Sequence, residues 1–322
     1  MARGVLWWVV VAMLVGGCHA MRGAQPPLAL PVAWQVGDRL AVEIVKERTG
    51  VERGKKASLG RGVFPVDVEV ASRTGDAYVL FWTYGPARLD GGPKLSGPAA
   101  AFVRRLSTLL DGRRLVISVK PLRGETTIVN LDEVTGWYRD GMEEVHRHLL
   151  EEGMPVGDAQ RLMTTVAAFG RPESVAAASL EQPRLFLRFV GARLERGEVV
   201  EYHDRLPIEL GGEPIPTTAS YVLEAVDTAR HEARIAWRQR LDEEAARTST
   251  FAMLQTMAER MGKPAPKPTD VPVITIEDRG EWVMNTVSGW PLRMSFARKS
   301  MAGEGGRIEA TTMTAQPQGA AR

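Results

Sequence analysis

Hydrophobic and polar residues alternate with period two in several stretches of this chain, the mark of a strand with one buried face. Leu40, Val42 and Ile44 alternate with Arg39, Ala41 and Glu43, which predicts a strand within Trp34 to Thr49. Val66, Val68 and Val70 alternate with Asp67 and Glu69. After a turn at Ser72 to Gly75 comes Ala77-Tyr78-Val79-Leu80-Phe81-Trp82, apolar on both sides and therefore read as a central strand covered on both faces. Arg114 to Lys120 and Glu125 to Leu131 predict a hairpin that turns at Pro121 to Gly124. Strands are expected again at Arg184 to Val190, Ala192 to Asp204 and Ala219 to Asp227. The sharpest alternation is at His231 to Leu241, where Ala233, Ile235 and Trp237 face one way and Glu232, Arg234, Arg238 and Arg240 mostly the other. Val273 to Glu277, Glu281 to Thr286, Pro291 to Ser300 and Arg307 to Met313 read as a closing meander.

Helical spacing interrupts this pattern. Pro98 to Leu110 carries Phe102, Leu106 and Leu109 on one stripe. Asp132 to Glu152 carries Val134, Trp137, Tyr138, Val145 and Leu149, and Pro155 to Phe169 and Pro172 to Leu180 each open on a proline, which suits a first helical turn. A last helix is expected at 242–262, with Phe251, Leu254, Ala258 and Met261 as its stripe. The fold class is therefore α+β: antiparallel sheet, curved as a half-barrel from two similar units, with a central helical block and one further helix. The two units rest on a gapless match that sets Val66, Val68 and Val70 on Tyr221, Leu223 and Ala225, and Trp82 on Trp237.

The N-terminus has a different pattern. Arg3 precedes an apolar run, Val5 to Val15, and then Gly16 and Gly17 lead to Cys18, the only cysteine in the chain. A short basic start, an apolar core and small residues before a cut site make an export signal. The string Leu14-Val15-Gly16-Gly17-Cys18 resembles the lipobox of bacterial lipoproteins, with Gly16 where Ala or Ser is more usual. That resemblance covers residues 1–18. It implies that Cys18 is lipidated with a diacylglycerol and becomes the mature N-terminus, and two acyl chains suffice for a stable membrane anchor. His19 follows the cysteine. In lipoproteins like those of enteric bacteria an Asp there retains the protein at the inner membrane, so the expected place is the outer membrane, facing the periplasm.

The expected organisation is then a signal peptide at 1–17, the lipidated cysteine and a proline-bearing tether at 18–33, and a first β unit with one helix at 34–131. A helical block at 132–182 follows. A second β unit at 184–313 contains the helix 242–262 and a proline-rich linker at 263–272, and a disordered tail occupies 314–322. Beyond residue 18 no apolar run approaches the roughly 18–20 residues of a spanning helix. With the single thiol given to lipid, no intrachain disulfide can form, and stability must come from core burial.

Composition narrows the function only by exclusion. The 322 residues are 44% hydrophobic and 25% charged, with a net charge of +2. That balance suits a folded globular protein and not a nucleic-acid binder, which needs a basic face. His146 and His148 lie two apart on a predicted helix and point to different sides, whereas a zinc helix needs histidines four apart. His203, Asp204 and His231 sit at strand ends without a nucleophile, and Ser288-Gly289 lacks the upstream glycine of a nucleophile elbow. Gly54-Lys55-Lys56-Ala57-Ser58 lacks the spacing of a phosphate loop. Residues 50–62 read as a loop, and 46–61 hold six Lys or Arg against two acids, a stretch suited to anionic headgroups. No cofactor, metal set or catalytic residue is expected.

What remains is an apolar supply. Met253, Met257 and Met261 lie four apart on the last helix, and of these Met253 and Met257, with Trp82, Trp237, Trp282 and Met284, are candidates to line an apolar-ligand pocket. In layout alone the chain looks like the periplasmic lipoprotein carriers and outer-membrane lipoprotein receptors. The first expectation is thus a non-enzymatic, lipid-anchored protein that binds an apolar ligand, a lipid, or an envelope protein partner. An assembly component of an envelope complex is the alternative, and an envelope hydrolase is a distant third.

Overall fold

A computed structural model of the chain describes residues 26–90, 108–166, 170–206, 214–260 and 273–318, together with 264 and 267. Cys18 and the signal, most of the helix expected at Pro98 to Leu110, and most of the linker lie outside the described residues. Fourteen strands are described: β1 (Leu28–Ala29), β2 (Arg39–Glu52), β3 (Lys55–Thr74), β4 (Ala77–Tyr84), β5 (Arg88–Asp90), β6 (Arg114–Lys120), β7 (Glu125–Ile128), β8 (Arg193–Leu194), β9 (Val199–Leu206), β10 (Ile215–Asp227), β11 (Glu232–Leu241), β12 (Ile274–Asn285), β13 (Pro291–Ala302) and β14 (Gly305–Gln318). Twelve of them form one antiparallel sheet in the order β7-β6-β4-β3-β2-β14-β13-β12-β11-β10-β9, with β5 beside β3. The last strand, β14, pairs with the first long strand, β2, from Gly305 against Glu52 to Gln318 against Arg39. Two meanders therefore meet at mid-sheet, and β7 and β9 stay as free edges, so the sheet is open and not a closed barrel.

Alternation gives this sheet one dry face. Leu40, Val42 and Ile44 of β2, Val66, Val68 and Val70 of β3, Leu80 and Trp82 of β4, Ile235 of β11, Met294 of β13 and Met313 of β14 are all buried in one core. Four helices are described: α1 (Leu131–Glu151), α2 (Val156–Val166), α3 (Pro172–Phe186) and α4 (Glu243–Arg260). Val134 and Trp137 of α1 and Val175, Leu180 and Phe186 of α3 enter the same core, while α4 packs on β10 and β12. Each fully buried aliphatic side chain contributes about 1.5–3 kcal/mol, which is how the fold stands without a disulfide. No described helix is long and apolar enough to cross a membrane.

Several expectations are corrected. The stretch read as a tether is docked from Leu28: β1 pairs with β8, Leu30 and Trp34 are buried, and Trp34 stacks on Trp290 at 4.0 Å. Prolines kept this segment out of helices, but they did not keep it off the core. Residues 50–62 are paired in a long hairpin of β2 and β3, not a loop. Arg53 (φ 46°) and Gly54 (φ 77°) make its two-residue turn, and paired positive φ values suit the right-handed twist of a hairpin. Arg184 to Val190 is the end of α3 and a following turn, not a strand; a short run apolar on all sides has no period to separate the two. Val273 to Thr286 holds one strand instead of two, because Gly280 sits inside it as a space: a Cβ there would lie 2.4 Å from the Trp282 ring. The expected tail is strand through Gln318. The gapless repeat fails by two residues. Val68 pairs with Trp82, whereas Trp237 pairs with Tyr221, not Leu223, because the second hairpin's turn is longer than the first's.

Candidate functional site

Four of the six candidate pocket residues have described side chains, and all four belong to one core. Trp82, Trp237, Trp282 and Met284 are fully buried. The end of α3 holds the tryptophans of both meanders. Phe186 meets Trp82 edge-on at 5.9 Å, and the Trp282 indole N–H donates to the Leu185 carbonyl at 2.8 Å. Met253 and Met257 lie on α4, but their side chains are outside the described residues.

Strand register arranges the inner face of β11, β12 and β13 in layers. Ile235, Trp282 and Met294 form one row; Trp237, Gly280 and Phe296 the next; Gln239, Asp278 and Arg298 the third. The missing side chain at Gly280 leaves room for Trp282 to lean along its strand. Trp237 lies 6.2 Å from Trp282 and 6.1 Å from Phe296, ring to ring. The third row is polar. Asp278 accepts from Arg298 fork to fork, at 2.9 and 2.8 Å, and Gln239 donates to Thr217.

Toward the β9 edge the apolar face becomes amphipathic. Arg188, two residues beyond α3, lays its guanidinium over the Trp237 ring at 4.3 Å and lies 6.0 Å from the Trp282 ring. Tyr202 of β9 receives a hydrogen bond from the Trp237 indole at 2.9 Å and another from Arg188 Nη1 at 3.4 Å. Tyr221 of β10 closes the group, 6.1 Å from Tyr202 and 5.6 Å from Phe189. Burial, then the neighbouring Tyr202 and Glu198, raise the Tyr221 phenol above its ordinary pKa. Arg188, Tyr202 and Tyr221 are half-buried, so this is where the aromatic face meets solvent.

A second polar group lies under α3. The Tyr84 hydroxyl is deeply buried, and desolvation first, with Tyr138 second, pushes its pKa well above that of a free phenol. Since the fold favours neutral Tyr84, the unfolded chain ionises first, and the stabilisation is lost as pH rises past about 10. Urea midpoints measured at increasing pH should fall above that point, and Tyr84→Phe should flatten the fall. An unchanged slope in that variant would show that Tyr84 does not carry the effect.

The basic stretch at 46–61 is largely neutralised. Lys46 pairs with Glu181, Arg48 with Glu309, Arg53 with Glu304, and Arg61 with Glu47 and Asp90. Lys56 and Lys299 border an open groove of about 940 Å³ at the hairpin tips, with Val51, Met301 and Ile308. His148 pairs with Glu151 and Glu152 on the surface of α1. Among the described residues no three His, Cys, Asp or Glu side chains converge as a metal site.

No family model matches this sequence, and a comparison with curated proteins finds no match. Among solved structures the chain is similar over 88% of its length to lipovitellin, in a structure of its lipid–protein interactions, at 11% identity and a TM-score of 0.43. It spans about a quarter, 25%, of that lipovitellin chain. It is also similar over 89% of its length to an exported protein with a YmcC-like fold from Bacteroides fragilis, covering 99% of that chain at 9% identity and a TM-score of 0.22. A third likeness is to Ail, the attachment invasion locus protein of Yersinia pestis, over 87% of this chain and 99% of that one, at 6% identity and a TM-score of 0.17.

Sequence reasoning missed Arg188, Tyr202 and Tyr221. A signal was present for the first: Arg188 is the one charge within Leu185-Phe186-Leu187-Arg188-Phe189-Val190. A cation inside so apolar a run has to be held by something, and in the fold an indole face and a phenol hold it. Nothing local marked the two tyrosines; strand pairing sets Tyr221 beside Trp237 and Tyr202 within reach of Trp237 and Arg188.

Proposed function

We propose that this protein is an exported, lipid-anchored envelope protein that binds an apolar ligand without chemistry, along the inner face of its open sheet. The anchor is Cys18, on the strength of its lipobox-like setting. One observation carries the binding reading. The aromatic and methionine face formed by Met284, Trp282, Trp237 and Phe296 is not closed by an ion pair at its β9 side among the described residues, but runs out to half-buried Arg188, Tyr202 and Tyr221. An open sheet with helices on its dry face can part along such an edge and take an acyl chain against rings already in place. Methionines beside them suit varied apolar partners.

The test is native mass spectrometry of residues 19–322, exported to a bacterial periplasm and purified without detergent. This chain keeps every described contact, since the first docked strand is β1 at Leu28. A stoichiometric lipid adduct is expected. A clean apo mass, unchanged after incubation with total bacterial lipid extract, would sink the ligand reading and favour an assembly role.

A further inference from the structure

We propose that Arg188 and Tyr202 form an anion receptor for the headgroup, carboxylate or phosphate, of an amphiphile whose apolar part lies on the Trp237–Trp282 face. This deepens the apolar-ligand reading and rests on it.

Donors and acceptors do not balance at this site. The Trp237 indole and Arg188 Nη1 both donate to the Tyr202 oxygen. A phenol oxygen has two lone pairs and one proton; with both lone pairs engaged, the Tyr202 O–H is left to donate, and it has no acceptor among the described residues. Arg188 Nε is shut from solvent with no hydrogen-bond partner. Two donors thus share the single Tyr202 oxygen, and two more, the Tyr202 O–H and Arg188 Nε, have no acceptor among the described residues. The missing component is an acceptor, and next to a guanidinium it is best an anion.

Charge shows the same deficit. Buried or half-buried cations normally have a counterion. The same sheet face supplies one for Arg298, whose side chain is 22% exposed and is held by Asp278, itself 2% exposed. Arg188 has no carboxylate within ion-pair distance among the described residues. Glu198, which acts on Tyr221, is not its partner, and Asp204, two residues beyond Tyr202, takes its hydrogen bond from the Arg205 backbone. Trp237, Trp282 and Phe189 lower the local dielectric, which strengthens any charge pairing made there. An indole face satisfies part of a cation's need but offers no hydrogen-bond acceptor. The ligand that answers all of this carries its anion at the Arg188 end and its apolar body over the rings.

The experiment compares three probes on residues 19–322 by calorimetry and tryptophan fluorescence: oleate, its uncharged analogue oleyl alcohol, and inorganic phosphate. Oleate should bind about ten- to a hundredfold tighter than the alcohol, the worth of one charge-assisted contact. Arg188→Met, which keeps an apolar body over Trp237, should remove that preference. Arg188→Lys should restore part of it. Equal affinity for oleate and oleyl alcohol on the unaltered protein would overturn the proposal while the apolar-ligand reading stands, and this comparison needs no variant to fold. Phosphate binding as tightly as oleate would overturn the amphiphile in favour of a free-anion site. No binding of either oleyl probe would remove both the proposal and the reading beneath it.

Discussion

Replacing Trp282 by alanine is expected to cost about 3–5 kcal/mol, the range for emptying a buried aromatic site. The residue is fully buried in the row where the second meander meets α3. Its ring fills the space left by Gly280, packs edge-on to Phe189 at 5.1 Å, and its N–H ties the sheet to the Leu185 carbonyl. Losing it removes sheet–helix packing and the only direct indole bond described between them. Trp282→Phe separates the two contributions, since it keeps most of the apolar area and loses the hydrogen bond; a cost of about 1 kcal/mol is expected from the bond itself. Urea unfolding monitored by far-UV circular dichroism reads both variants. If Trp282→Ala shifted the midpoint by less than Trp282→Phe, ring packing would not be the main contribution of this residue.

Removing the carboxylate of Asp278 should be nearly as costly. Asp278→Ala strips the forked partner from a largely buried Arg298, and breaking such a pair typically costs about 3–5 kcal/mol because a charge is left in a poor dielectric. The pair itself contributes little net stability, since desolvating both ions offsets most of their attraction. The double variant Asp278→Leu, Arg298→Met should therefore recover most of the loss, to within about 1 kcal/mol of the unaltered protein. Thermal and urea unfolding of the two singles and the double complete the cycle. Additive losses would mean that the two side chains stabilise the fold independently and that the forked contact has no energetic content.

Much of the architecture could be read from residue order. Alternation found β2, β6, β10, β11, β13, β14 and the second half of β3, because each has one dry face and a period of two; β4 was found as an apolar run, and its burial alternates with one dry face instead of the two expected. Helical spacing located α1, α2 and α4 for the corresponding reason. Reading failed where period carries no information. Arg184 to Val190, apolar but for its two arginines, closes a helix and turns instead of forming a strand. The gap read between Glu277 and Glu281 holds Gly280, which is a space for an indole inside one strand. The 50–62 segment is largely polar and pairs regardless, because its two arms, the ends of β2 and β3, give each other backbone partners and β14 pairs with the β2 arm.

The sequence by itself determined that the chain is β-rich with a helical block, that Trp82, Trp237, Trp282 and Met284 face inward, and that Cys18 stands in a lipobox-like string. These are local properties, set by period, side-chain polarity and motif. Only the tertiary structure decided which residues meet: that the last strand, β14, pairs with the first long strand, β2, that Trp82 and Trp282 flank the end of one helix, and that Arg188 reaches Trp237 and Tyr202 from outside their strands. Those contacts join positions far apart in the chain, and the free energy that selects them comes from burying a shared face, which no single segment encodes.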